Sequence, residues 1–160
     1  MRKLLTVVLF LMSGVALAAG YSSAPANCLV KNFKFQQQLV NLNTSGKNVP
    51  MLFLLRNNSS QNLTLNHPTN KSASAGWSSN LNSGSWSAIF IRQGNFALGC
   101  YAPNDITKSV PCIKSLQICE VKNPQFKGGI ALWSGNFWVA ENKAALEDLL
   151  KAIQKRGVQF

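Results

Sequence analysis

Apolar residues recur with a period of two over most of this chain, and with a helical period only near its end. Leu29, Phe33 and Phe35 share one parity within an extended stretch from Ala26 to about Leu42, as a half-buried strand places them. Met51 to Leu55 is a continuous apolar run between Pro50 and the Asn57-Asn58-Ser59-Ser60 turn cluster. Its shortness suits a strand covered on both faces better than a helix. Leu63-Thr64-Leu65 alternates and predicts the return strand of a hairpin. Asn66 to Ser85 is Ser-, Asn- and Gly-rich and reads as a long loop with one short strand at Ala73 to Trp77. Trp86 to Ile91 and Phe96 to Cys100 read as a second hairpin, turned through Gly94-Asn95. Tyr101 to Pro111 reads as a loop and Leu116 to Val121 as a strand. Ile130 to Trp133 and Phe137 to Ala140 flank Ser134-Gly135-Asn136 as a third hairpin.

The period then changes. Leu146, Leu149, Leu150 and Ile153 fall at i, i+3, i+4 and i+7, one face of a helix over about 142–156. Asn142 is the candidate N-cap and Gly157 the C′ residue. Glu147 and Lys151 have favourable i, i+4 spacing, and Lys151, Lys155 and Arg156 suit the negative end of the helix dipole. A short helix is marginal without tertiary packing, so the apolar stripe is read as a docking face for a sheet. Strand after strand followed by one helix predicts a mainly β fold: an antiparallel β-sandwich or barrel with one C-terminal α-helix.

The first nineteen residues read as a cleavable secretory signal peptide. Arg2 and Lys3 precede an uncharged apolar run from Leu4 to Leu17, and Ala16-Leu17-Ala18 is a small-x-small cleavage site. The run is about fourteen residues, short of the ~20 that a spanning helix needs. Tyr21 follows where a lipoprotein would carry its lipid-accepting cysteine. Residues 20–160 are then a single domain of a size that can bury a core. The predicted location is exported: periplasm, cell surface or medium, with no transmembrane helix after signal cleavage. The cleavage site has a bacterial look, so the five Asn-x-Ser/Thr sequons read as an Asn- and Ser-rich surface, not as glycan acceptors.

Cys28, Cys100, Cys112 and Cys119 all lie behind the signal. An even count in an exported chain reads as two disulfides. Of the three possible pairings, spacing favours Cys112–Cys119 as a local clip and Cys28–Cys100 as a long staple. There is no CxxC, and His67 is remote from every cysteine, so neither a metal site nor a cofactor is expected.

The chain has 16 Lys and Arg against 5 Asp and Glu, a formal charge of +11. Removing Arg2 and Lys3 leaves 14 basic residues against 5 acidic, or +9. That balance favours an anionic partner, an envelope or host glycan or lipid; a protein partner of unknown identity is the other expectation. The basic residues are scattered singly, with no arm or stripe for specific nucleic-acid binding.

Catalytic signatures are sparse. Glu147 and Asp148 belong to the predicted helix surface, leaving Asp105, Glu120 and Glu141 for any acid/base pair. His67, the sole histidine, precedes Pro68 beside a predicted turn and reads as solvated. There is no Gly-x-Ser-x-Gly elbow. A non-enzymatic role is therefore expected, with an enzyme acting on envelope polymer as the alternative. Trp77, Trp86, Trp133 and Trp138 stand beside turns and strand ends. They form the possible binding surface of a third alternative, a sugar- or lipid-binding module; otherwise they fill the core.

The segments SASAGWSSNL, WSAIF, VPCIKSLQIC and FWVAEN, with the terminal KRGV, together resemble the EnhB-like family of small exported proteins from Legionella-type intracellular bacteria. The likeness runs from about Cys28 to Val158. It implies an envelope or secreted virulence-associated interaction protein linked to entering host cells, and brings no catalytic residues with it.

Overall fold

The computed structural model describes residues 27–30, 33–36, 38–43, 50–69, 72–92, 94–127, 137–139 and 142–159. The predicted signal peptide, and the Ile130 to Trp133 arm of the third hairpin, lie outside these residues. Strands β1 (Cys28–Val30), β2 (Lys34–Gln36), β3 (Leu39–Asn43), β4 (Met51–Asn57), β5 (Leu63–Thr69), β6 (Ser72–Leu81), β7 (Trp86–Ile91), β8 (Asn95–Ala102) and β9 (Asp105–Ser109) come first. A single turn of helix, α1 (Cys112–Ser115), leads into β10 (Leu116–Val121), β11 (Gln125–Phe126) and β12 (Phe137–Val139). The helix α2 (Leu146–Lys155) and β13 (Val158–Gln159) follow.

Two antiparallel sheets face each other. One has the order β1-β10-β4-β7-β12, the other β2-β3-β8-β5-β6 with β9 also on β8. The expected β-sandwich with a C-terminal helix is therefore present. Strands β11 and β13 form a separate small pair.

Residue parity divides the molecule into two cores. In β4, Phe53 and Leu55 point between the sheets, where they meet Val40, Leu65, Ile89 and Leu98. Leu52 and Leu54 point the other way, onto Leu146, Leu149 and Ile153 of α2. The continuous apolar run thus marks a strand covered on both faces. Each fully buried aliphatic side chain of α2 contributes about 1.5–3 kcal/mol, which holds a ten-residue helix that would be marginal alone.

The helix is shorter than the 142–156 that the sequence predicts. Ala145, not Asn142, is its N-cap, with no side-chain cap bond. The preceding segment is held by the sheet instead: Lys143 exchanges backbone hydrogen bonds with Trp86, at 2.6 and 2.8 Å. At the other end Gly157 adopts φ 93°, and its N–H donates to the Gln154 carbonyl, closing the helix as expected.

Both predicted hairpins before residue 101 are corrected. Strands β4 and β5 do not pair; nor do β7 and β8. In each case the chain crosses from one sheet to the other. The hairpins among the described strands are β2–β3, β5–β6 and β8–β9. The short strand expected at Ala73 to Trp77 lies within the ten-residue β6, which takes up half of the loop expected over Asn66 to Ser85, and the loop expected over Tyr101 to Pro111 contains β9.

The disulfides are Cys28–Cys119 and Cys100–Cys112, not the pairing that spacing favours. In β10, Leu116 and Ile118 face the inter-sheet core and Cys119 and Val121 face the helix side. Cys28, on the neighbouring strand β1, shares the face of Cys119. Cys100 and Cys112 both lie in the inter-sheet core. Either cross-pairing would have to pass through the sheet. Two disulfides accord with an oxidising, exported environment. No helix among the described residues is long and apolar enough to cross a membrane.

Candidate functional site

Two of the groups considered for catalysis, Asp105 and Glu120, stand in different sheets. Asp105 lies on β9, attached to one sheet. Glu120 lies on β10 in the other, opposite Leu29 and Phe53. Glu141 lies outside the described residues. His67 is not the solvated turn residue that the sequence suggests. It stands in β5, stacked on Phe96 at 4.0 Å and 12°, with Nδ1 at 2.7 Å from the Ala97 carbonyl. Asp105 accepts from the Thr107 hydroxyl at 2.6 Å and the Thr107 N–H at 3.0 Å. The hydroxyl bond first, then the backbone bond, hold its carboxyl below the ordinary carboxylate range. Among the described residues no group of three or more His, Cys, Asp or Glu is placed to hold a metal ion.

The tryptophans divide. Trp86 is 5% exposed and belongs to the helix-side core, with the Arg56 guanidinium 5.6 Å above its ring. It is a core residue, not surface. Trp77 is half-buried against the inter-sheet core, tilted over Phe96 at 6.4 Å. Trp138 is paired opposite Phe90 through the β12 backbone, and Trp133 lies outside the described residues.

Two surfaces remain. The first is a basic end. Lys151 and Lys155 are exposed on α2, and Arg156 is exposed just beyond it. Pairing of Phe126 with Val158 brings exposed Lys127 alongside, its N–H bonded to the Gly157 carbonyl. Exposed Lys122 lies just after β10, close to β11 in the chain. Strands β11 and β13 and the last turn of α2 carry no carboxylate.

The second is the outer face of the β2-β3-β8-β5-β6 sheet. Its inward positions supply the inter-sheet core, so alternation turns Thr64 and Asn66 of β5, Asn80 of β6, and Gly99 and Tyr101 of β8 outward. The Tyr101 ring lies over Gly99: a Cβ there would meet ring atoms at 2.7 Å. Thr64, opposite Tyr101, donates its hydroxyl to Asn80 Oδ1 at 3.0 Å. It accepts the Asn104 N–H at 2.9 Å, and Asn80 Nδ2 donates to Asn104 Oδ1 at 3.2 Å. Asn104 turns the β8–β9 hairpin at φ 56°. Tryptophan-centred sequence reasoning misses this face. Its signal is the Gly99-x-Tyr101 spacing, which alternation puts on one side of a strand.

Compared with known proteins, the chain matches no family model, no curated protein and no solved structure.

Proposed function

We propose that the chain is an exported, non-enzymatic interaction protein that meets an anionic envelope or host surface, glycan or lipid, through its basic end. The observation that carries this reading is the placement of exposed Lys127 and Lys155 at the end formed by β11, β13 and the last turn of α2, elements whose sequences hold no Asp or Glu. Like charges held on rigid elements raise the local concentration of an anionic partner. The disulfides fit work outside the cytoplasm, in the periplasm or at the cell surface. The resemblance to EnhB-like proteins adds a process, entering host cells.

The test is co-sedimentation of the oxidised chain with phosphatidylglycerol vesicles, and its retention on heparin resin, at low and raised salt. Binding to either that weakens with salt, and weakens further in a Lys127→Glu/Lys155→Glu variant, supports the reading. Absence of binding to both, or equal binding by the variant, sinks it.

A further inference from the structure

We propose a binding site for a carboxylate group on the helix-side face of the β1-β10-β4-β7-β12 sheet, with Arg56 as its anchor and Gln117 as a second donor.

Arg56 is the first reason. Register sets it on β4 directly opposite Trp86 of β7, and its guanidinium carbon stands 5.6 Å from the centroid of the indole ring. Arg56 is half-buried. Its Nε–H is shut off from solvent without an acceptor, and among the described residues the side chain makes no hydrogen bond or ion pair. Cations drawn out of water are ordinarily paired, and a buried donor without an acceptor is destabilising. The indole face offsets part of that cost but offers the N–H groups no oxygen. A guanidinium that is unsatisfied at rest tilts readily toward a ligand that supplies one.

The second reason is Gln117, directly opposite Arg56 on β10. Directly opposed side chains share one face and come within reach of each other. The Gln117 Oε1 accepts from Asn58 Nδ2 at 3.4 Å, which leaves the amide its N–H donors. Gln117 is half-buried. Guanidinium and amide together present donors, and the group that matches them is one that only accepts.

Charge decides which oxyanion. Arg56 carries one positive charge, and Gln117 and Trp86 carry none. That balances a carboxylate, whose two oxygens match the guanidinium fork. A phosphate dianion would be left half-neutralised beside an indole that is 5% exposed.

The site is separate from the basic end. Arg56 pairs with Gln117 near the start of β10, whereas Leu52 pairs with Val121 at its end, from which the chain runs to Lys122 and β11. The two proposals therefore fail separately.

The test is titration of the oxidised full chain with sodium acetate, against sodium chloride and sodium phosphate at matched ionic strength and neutral pH. The Arg56 Nε–H and Trp86 indole N–H resonances are followed by proton–nitrogen NMR, the former assigned by its loss in Arg56→Lys. The expected result is a saturable downfield shift of the Arg56 resonance with acetate and none with chloride. Arg56→Lys keeps the charge but not the fork, and should weaken acetate binding about tenfold, read at the indole N–H. Gln117→Glu supplies the carboxylate from within: it should shift the Arg56 resonance without acetate and abolish the response to acetate. Lys127→Glu/Lys155→Glu should change neither. A response that does not saturate, or that chloride reproduces, overturns the proposal. So does tighter binding of phosphate than of acetate, or parent-like acetate binding by the folded Arg56→Lys and Gln117→Glu variants.

Discussion

Cys112 and Cys119 are seven residues apart, and a sheet separates their cores. Cys112 lies between the sheets and Cys119 beneath α2, so each finds its partner within its own core. Peptide mapping under non-reducing conditions should return Cys28–Cys119 and Cys100–Cys112 linkages. Loop-closure entropy gives about 3 kcal/mol for the shorter link and roughly 4.5 for the longer one. Paired serine variants should therefore lose more stability at Cys28/Cys119 than at Cys100/Cys112 in denaturant titrations. A Cys112–Cys119 peptide would contradict the assignment of faces.

Asn57 joins the two sheets at the end of β4. It is fully buried. Its Nδ2 donates to the carbonyls of Gln61, at 2.7 Å, and Leu81, at 3.0 Å. Its Oδ1 accepts from the Ser59 N–H and hydroxyl. Asn57→Ala removes these bonds and strands the partners, a loss of roughly 2–4 kcal/mol at about 1 kcal/mol per bond plus desolvation. Asn57→Asp should be worse at neutral pH, since it sets a carboxylate against two carbonyls. Chemical denaturation of both variants at neutral and mildly acidic pH checks this. The aspartate variant should recover part of its loss in acid, where protonation restores a donor; identical loss at both pH values would exclude the account.

The strands that proved easiest to read are those whose apolar pattern reports the layer as well as the element. β4 and β7 are apolar at nearly every position because helix and sheet cover opposite faces. β5 and β8 alternate because one face meets the apolar inter-sheet core while the other meets polar neighbours such as Asn80 and Asn104. That contrast, between Leu52-Phe53-Leu54-Leu55 and Leu63-Thr64-Leu65, places them in different sheets, and it outweighs the turn residues that suggest hairpins between them. Only Ala73 to Trp77 of β6 is legible in the sequence; its continuation to Leu81 was hidden because Ser78, Ser79 and Asn80 read as turn residues, and its pairing is set by β5. The candidate sheet face was hidden for a related reason. Asn66 and Thr64 read as loop residues, and only the register opposite Gly99 and Tyr101 brings them onto one surface.

Asp105 and Thr107 make the β9 turn sensitive to acid. Two hydrogen bonds from Thr107 favour the carboxylate, so the folded-state value lies below the ordinary one. With the folded value depressed, the contribution of this group to stability is present above the unfolded-state carboxylate range. It is lost as pH falls through the folded value. Thr107→Val removes the hydroxyl bond while preserving the β-branched shape that suits a strand. The variant's Asp105 should titrate at higher pH than in the parent, measured by carboxyl-carbon NMR. The shift should survive raised salt, because its main cause is a short-range hydrogen bond and only its smallest is the charge of Lys108. An unchanged titration in Thr107→Val would show that the backbone bond alone holds the carboxylate.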